Sequence, residues 1–106
     1  MGRSKTESFG ARENRIAVIA RALGHPARVA ILEFLASQDA CMCGDIVEEI
    51  PLAQATVSQH LAELKRAGLI KGEIEGPRVF YCIDREALKT AKELLTAFLS
   101  DVKKSC

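Results

Sequence analysis

The sequence predicts a mainly α-helical chain with one small β-hairpin, and three observations carry that prediction. Apolar residues recur at helical spacing over most of the length. One region, LIKGEIEGPRVFYCI, alternates apolar and polar residues instead, with Gly76-Pro77 at its centre as a turn. Gly24, Pro51 and Gly68 stand where the helical patterns break.

The elements follow in order. Residues 1–10 read as a flexible tail, with Gly2, Ser4, Ser8 and Gly10 among charges, ahead of one domain over 11–104. From Ala11 to Leu23, Ile16, Ile19, Ala20 and Leu23 mark a first helix that Gly24 ends. HPARVAILEFLA starts a second: Pro26 has no N–H to leave unpaired in a first turn, and Val29, Ile31, Leu32 and Leu35 supply its apolar stripe. His25 belongs to that helix start. SQDACMC is too short for a helix and leads into a brief third helix in GDIVEEI, closed before Pro51.

The fourth helix is the most sharply patterned. Val57, Leu61 and Leu64 fall at i, i+4 and i+7, which turns one face inward until Gly68 stops it. Ala53 sits where a capping Ser or Thr is expected. Beyond the hairpin, a fifth helix from Asp84 to about Lys103 carries Leu88, Ala91, Leu95, Phe98, Leu99 and Val102. So small a domain has little interior left to receive that broad face. A homodimer through the first and last helices, at Ile16, Ile19, Leu88, Leu95 and Phe98, accounts for it better.

Composition narrows the function classes. The chain has 106 residues, 48% hydrophobic and 27% charged, which describes an ordinary globular protein rather than a disordered one. No run is long enough to span a bilayer and the polar start has no secretory apolar region, so the expected compartment is the cytoplasm. The net charge is +1, but residues 1–28 carry six Lys/Arg against two acids, and residues 29–53 carry five acids and no Lys/Arg. A near-neutral total thus conceals local basic surface able to meet a polyanion.

Two short helices joined by a tight turn and followed by a hairpin make a winged helix-turn-helix, whose second helix fits a major groove of double-stranded DNA. Here the pair is 44–50 and 54–66. Its exposed face carries Gln54, Thr56, Ser58, Gln59 and His60, able to meet base edges or phosphates, while Lys65, Arg66, Lys71 and Arg78 can neutralise phosphates. For His60 the alternative is a half-buried ring locking the helix in place.

LGHPARVAILEFLA followed by ATVSQHLAELKRAGLIKGEIEGPRVFYCID resembles the ArsR/SmtB family of dimeric winged-helix repressors over roughly residues 13 to 100. The resemblance implies a homodimer that blocks its operator until a metal ion or other inducer releases it, and no enzymatic activity. Arsenite, cadmium and lead sensors of that family share a Cys-x-Cys-Asp element at the third helix. This chain has Cys41-Met42-Cys43-Gly44-Asp45, one residue longer before the aspartate. The family's other pattern, Asp and His ligands along the last helix, has no counterpart in REALKTAKELLTAFLSDV, which contains no histidine.

The chemistry of CMC can also be read from geometry. In an extended segment residues i and i+2 share a face about 7 Å apart, so Cys41 and Cys43 can chelate if the segment is extended. In a reducing compartment a stable disulfide framework is not expected, which leaves free thiols for a thiophilic ion, arsenite or a soft divalent metal of the Cd or Pb kind. A third ligand would come from Cys106, or from Cys82 if the CMC segment pairs with the second hairpin strand; otherwise Cys82 packs as a small hydrophobe. No other cofactor is required. Three further readings stay open: a repressor responsive to thiol oxidation or reactive sulfur, a constitutive DNA-binding winged helix, and a thiol-disulfide enzyme, the last lacking a strand-helix-strand context.

Overall fold

The structure, a computed structural model, describes residues 8–38, 40–41 and 45–102. Five helices and a hairpin follow the predicted order: α1 (Ala11–Ala22), α2 (Pro26–Ala36), α3 (Asp45–Glu49), α4 (Gln54–Arg66), β1 (Ile70–Glu75), β2 (Arg78–Ile83) and α5 (Arg85–Asp101). Two helix starts are capped by side chains. His25 accepts the Ala27 N–H at Nδ1 (3.0 Å), ahead of Pro26, and the Asp84 carboxylate accepts the Ala87 N–H (3.1 Å). The start of α4 is not: Ala53 holds the extended backbone of a cap with no side chain to complete it.

The core forms where α2, α3, α4 and β1 meet. Ile31, Ile46, Val57, Leu64 and Leu69 lie there almost without exposure, and Leu61 is buried with them. Thus the predicted stripe of α4 faces inward, which turns the opposite side of the helix to solvent. The C-terminus of α4 is fixed twice. Arg15 Nη1 donates to the Ala67 carbonyl (3.0 Å) from α1, and Gly68, at φ +82°, reverses the chain while its N–H bonds the Lys65 carbonyl (2.9 Å). The chain then enters an antiparallel ladder in which Ile70 faces Ile83, Lys71 faces Cys82, Glu73 faces Phe80 and Glu75 faces Arg78. Gly76, at φ +63°, makes its tip.

α1 packs along α5, and Arg12 and Asp101 form an exposed ion pair at their far ends (3.6 Å). Of the five residues assigned to a dimer seam, Ile19 needs correction: at 1% exposure it is sealed inside its own protomer. Its position turns it toward Ala22, Ala67 and the rest of the core cluster. Ile16, Leu88 and Leu95 are half-buried and Phe98 is exposed. Phe9, Leu99 and Val102 are exposed near the ends of the same two helices. Val29, expected in the α2 stripe, is also exposed.

His60 needs correction too. It is buried rather than presented to DNA, because its ring turns back toward α2: Arg28 Nε donates to its Nδ1 (3.2 Å), and its ring stands 4.3 Å from that of His25. Arg28 also donates to the Arg21 carbonyl (3.1 Å), so one guanidinium ties α1, α2 and α4 together. A nitrogen accepting from Arg28 cannot carry a proton, and burial, reinforced by the charges of His25 and Arg28, holds the His60 pKa below the ordinary 6.5.

Two outcomes follow from these contacts. Below pH 6.5 the unfolded chain binds a proton at His60 that the native state resists, so stability is full above that value and falls as pH drops toward the native pKa. Urea midpoints measured between about pH 7.5 and 5.5 will decline in the wild type and decline less in His60→Gln. Separately, Ala53→Ser, supplying the missing cap, will raise unfolding stability by about 1 kcal/mol at fixed protomer concentration.

Candidate nucleic-acid interface and thiol site

α3 and α4, joined through residues 50–53, form the helix pair, and the hairpin beyond them is the wing. Inward packing of Val57, Leu61 and Leu64 leaves Gln54, Ser58 and Gln59 exposed, with Thr56 half-buried. Lys65 and Arg66 are exposed at the end of α4, and Arg66 pairs with Glu63 one turn earlier. Lys71 and Arg78 are exposed on the wing. Lys65 reaches over β1, where a Cβ added at Gly72 would stand 3.2 Å from its Nζ. The polar face of α4 and the base of the wing therefore form one continuous surface.

Sequence reading missed two cations on that surface. Arg21 and Arg28 line an open cleft of about 370 Å³ together with Gln59 and Arg66, so three guanidiniums gather beside the α4 face. Arg28 is engaged with His60 and the Arg21 carbonyl, which holds its side chain at that edge. The clue lay in the basic excess of residues 1–28, but only packing of α1 and α2 beside α4 gives it a location.

The cysteines depart further from expectation. Cys41 is joined to Cys82 by a disulfide, with Cα atoms 4.4 Å apart. The expectation of free thiols fails for this pair because Cys41 lies against Cys82 of β2. Cys82 is only half-buried and lies outside the core cluster, so it is not a core packing residue. Cys43 and Cys106, the other proposed ligands, lie outside the described residues.

Strand alternation places Lys71, Glu73, Phe80 and Cys82 on one face of the wing, with Glu73 diagonal to Cys82. A carboxylate oxygen of Glu73 and the two sulfurs all lie within 4.8 Å of one another. Glu73 was absent from the sequence-based candidates, although the register around Gly76-Pro77 would have found it: counting outward pairs Glu73 with Phe80 and Lys71 with Cys82. Beside the pair opens a cleft of about 320 Å³ lined by Cys41, Cys82, Lys71, Asp84, Arg85 and Glu86, among others. Small molecules and ions thus have access to both sulfurs. Among the described residues, no helix is long and apolar enough to cross a membrane.

Comparison with known proteins agrees with this architecture. A helix-turn-helix domain family matches residues 23–73, which span α2, α3, α4 and most of β1. An uncharacterised HTH-type transcriptional regulator of Methanocaldococcus jannaschii is 38% identical over 76% of this chain and 91% of its own length. The HTH-type transcriptional repressor SmtB of Mycobacterium tuberculosis is 41% identical over 58% of this chain and 44% of its own. Among solved structures, the homodimeric winged helix-turn-helix DNA-binding domain of a possible ArsR-family regulator from Mycobacterium bovis superposes with a TM-score of 0.66 at 27% identity, covering 95% of this chain and 90% of that one. With an exposed polar helix, a two-stranded wing and a transcriptional regulator matched over 91% of its length, the chain belongs to the ArsR/SmtB family of winged-helix transcriptional regulators, which bind DNA and are not enzymes.

Proposed function

We propose that the protein is a cytoplasmic, inducer-responsive repressor that holds operator DNA as a homodimer and releases it when a thiophilic ion, arsenite or a soft divalent metal of the Cd or Pb kind, is taken up at the cysteine site around Cys41. The observation that carries this reading is the contact of Cys41 with Cys82. It joins the segment leading into the helix pair to the wing, the two parts that must meet the duplex together. Anything that changes the join changes their relative placement.

In this reading Gln54, Thr56, Ser58 and Gln59 meet base edges or phosphates from α4, while Lys65, Arg66, Lys71 and Arg78, joined by Arg21 and Arg28, neutralise phosphates. Two such surfaces must reach successive major grooves about 34 Å apart, so a small rotation within each protomer spoils simultaneous contact. The dimer seam lies along α1 and α5, where exposed Phe98, Leu99, Val102 and Phe9 leave an apolar surface that a partner would cover. Ile16, Leu88 and Leu95 flank it, and Ile19 supports it from beneath.

A second reading is favoured by the disulfide itself: the trigger is oxidation. Two thiols give up two electrons and two protons to a peroxide, forming the Cys41–Cys82 bond and two waters. A constitutive regulator without an inducer has no observation in its favour.

Titrating operator DNA with reduced protein will separate these readings. Under ion control, arsenite or Cd will weaken binding by roughly 5- to 150-fold, the range of ordinary allosteric coupling, and peroxide will have little effect. The oxidation reading requires the reverse, and unchanged affinity under both treatments rejects both. In the same preparation, Phe98→Glu with Leu99→Glu will shift the sedimenting species toward monomer and weaken operator binding, while a retained dimer would refute the seam.

A further inference from the structure

We propose that Cys41, Cys82 and Glu73, once the cysteines are reduced, form a mixed thiolate–carboxylate site for a divalent cation such as Zn(II), Cd(II) or Pb(II), fastening the wing to the segment that leads into α3. The inference deepens the ion-responsive reading above and rests on it for its regulatory meaning, though not for its existence.

Geometry is the first argument. A tetrahedral zinc holds sulfur at about 2.3 Å and carboxylate oxygen at about 2.0–2.2 Å, so ligand atoms around one ion stand roughly 3.5–3.8 Å apart. The three donor atoms already lie within 4.8 Å of one another. Separating the bonded sulfurs and drawing in one exposed carboxylate is a side-chain adjustment. Two of the ligands are fixed relative to each other by the ladder, since Glu73 and Cys82 are diagonal neighbours on one face of the wing. The third arrives from a different element, so the ion ties two parts of the fold together.

Chemistry is the second. A dithiol reductant supplies two electrons and two protons to open the disulfide, and the cation then displaces both thiol protons. Two thiolates, one carboxylate and a divalent cation carry a net charge of −1. Lys71 stands opposite Cys82 and lines the same cleft, where its ammonium offsets that charge. The carboxylate also sets the class of ion. Trivalent arsenic binds through thiolate sulfur, whereas borderline divalent metals accept sulfur and oxygen together, so Glu73 distinguishes the divalent cation from arsenite.

The test uses the whole 106-residue chain, reduced with a phosphine that is then removed, and titrated with Cd(II) alone. Thiolate-to-cadmium ultraviolet absorption and the count of protected thiols report binding. Cys82→Ser will lose tight binding. Glu73→Gln will lower Cd affinity by roughly tenfold or more, the scale seen even for groups that only support metal ligands, with arsenite affinity unchanged. Cys43→Ser will retain the site. Glu73 is exposed, so its substitution probes the site without challenging the fold.

Cd affinity unchanged in Glu73→Gln or in Cys82→Ser overturns the proposal. Operator binding separates it from the broader reading. Should Cd bind with the expected pattern and leave DNA affinity untouched, the site stands and release by metal fails. Should Cd release DNA through Cys43, with Cys82→Ser and Glu73→Gln silent, release stands and this site fails.

Discussion

The inward commitment of one face of α4 is the constraint on which the remaining structure depends. Val57, Leu61 and Leu64 are buried against α2, α3 and β1, and a helix that spends those positions inside has no choice about what it shows outside. Burying three such side chains contributes about 1.5–3 kcal/mol each relative to leaving them in water, far more than any exposed polar contact on the opposite side could set against it. The orientation of Gln54, Ser58 and Gln59 is therefore a by-product of core packing. Arg15 and Gly68 then fix where the helix stops, and His60, held by Arg28, fixes its roll against α2.

Charge on the presented surface is unevenly divided. The wing's Lys71 and Arg78 are balanced in sequence by Glu73 and Glu75, so the hairpin as a whole carries no net positive charge with which to attract phosphates. Cations gather instead at the other edge, where Arg21, Arg28 and Arg66 line one cleft. Long-range attraction to a polyanion thus acts through the helices more than through the wing. A wing without net charge keeps Lys71 and Arg78 for local phosphate contacts in the proposed reading, while Glu73 stands on the same face as Cys82.

Much of this was legible in the sequence. Periodicity found all five helices and the hairpin, since Gly24, Pro51, Gly68 and Gly76 mark boundaries by backbone chemistry that acts locally. What failed were judgements about which of several inward-pointing residues meets what. Ile19 and Ile16 differ by less than one helical turn, and only the position of α1 over the core decides that one is sealed and the other left near the surface. His60 lies within the exposed stretch by spacing, yet Arg28, thirty-two residues earlier, draws it inside. Pairing Cys41 with Cys43 followed from adjacency, and Cys82 was expected to approach only if that segment met the second hairpin strand. The pair the fold makes, Cys41 with Cys82, spans a sequence separation of 41 and depends on where Cys41 meets β2.

That separation gives the thiol pair its reach. The segment between Cys41 and Cys82 contains α3, the turn, α4, β1 and nearly all of β2, which is the whole DNA-reading unit, while α1, α2 and α5 lie outside it. A cross-link closing a loop of this length restricts the unfolded chain by about 4 kcal/mol in the chain-entropy account. A metal bridging the same two sulfurs closes the same loop, with a carboxylate from inside it. In the readings proposed above, oxidation or metal binding closes this tie and reduction opens it, and the helices proposed to carry the dimer seam are left outside it. In the proposed homodimer the unit could therefore be stiffened or loosened without parting the protomers, which is what a regulator needs if one protomer's response is to be felt at a twofold-symmetric operator.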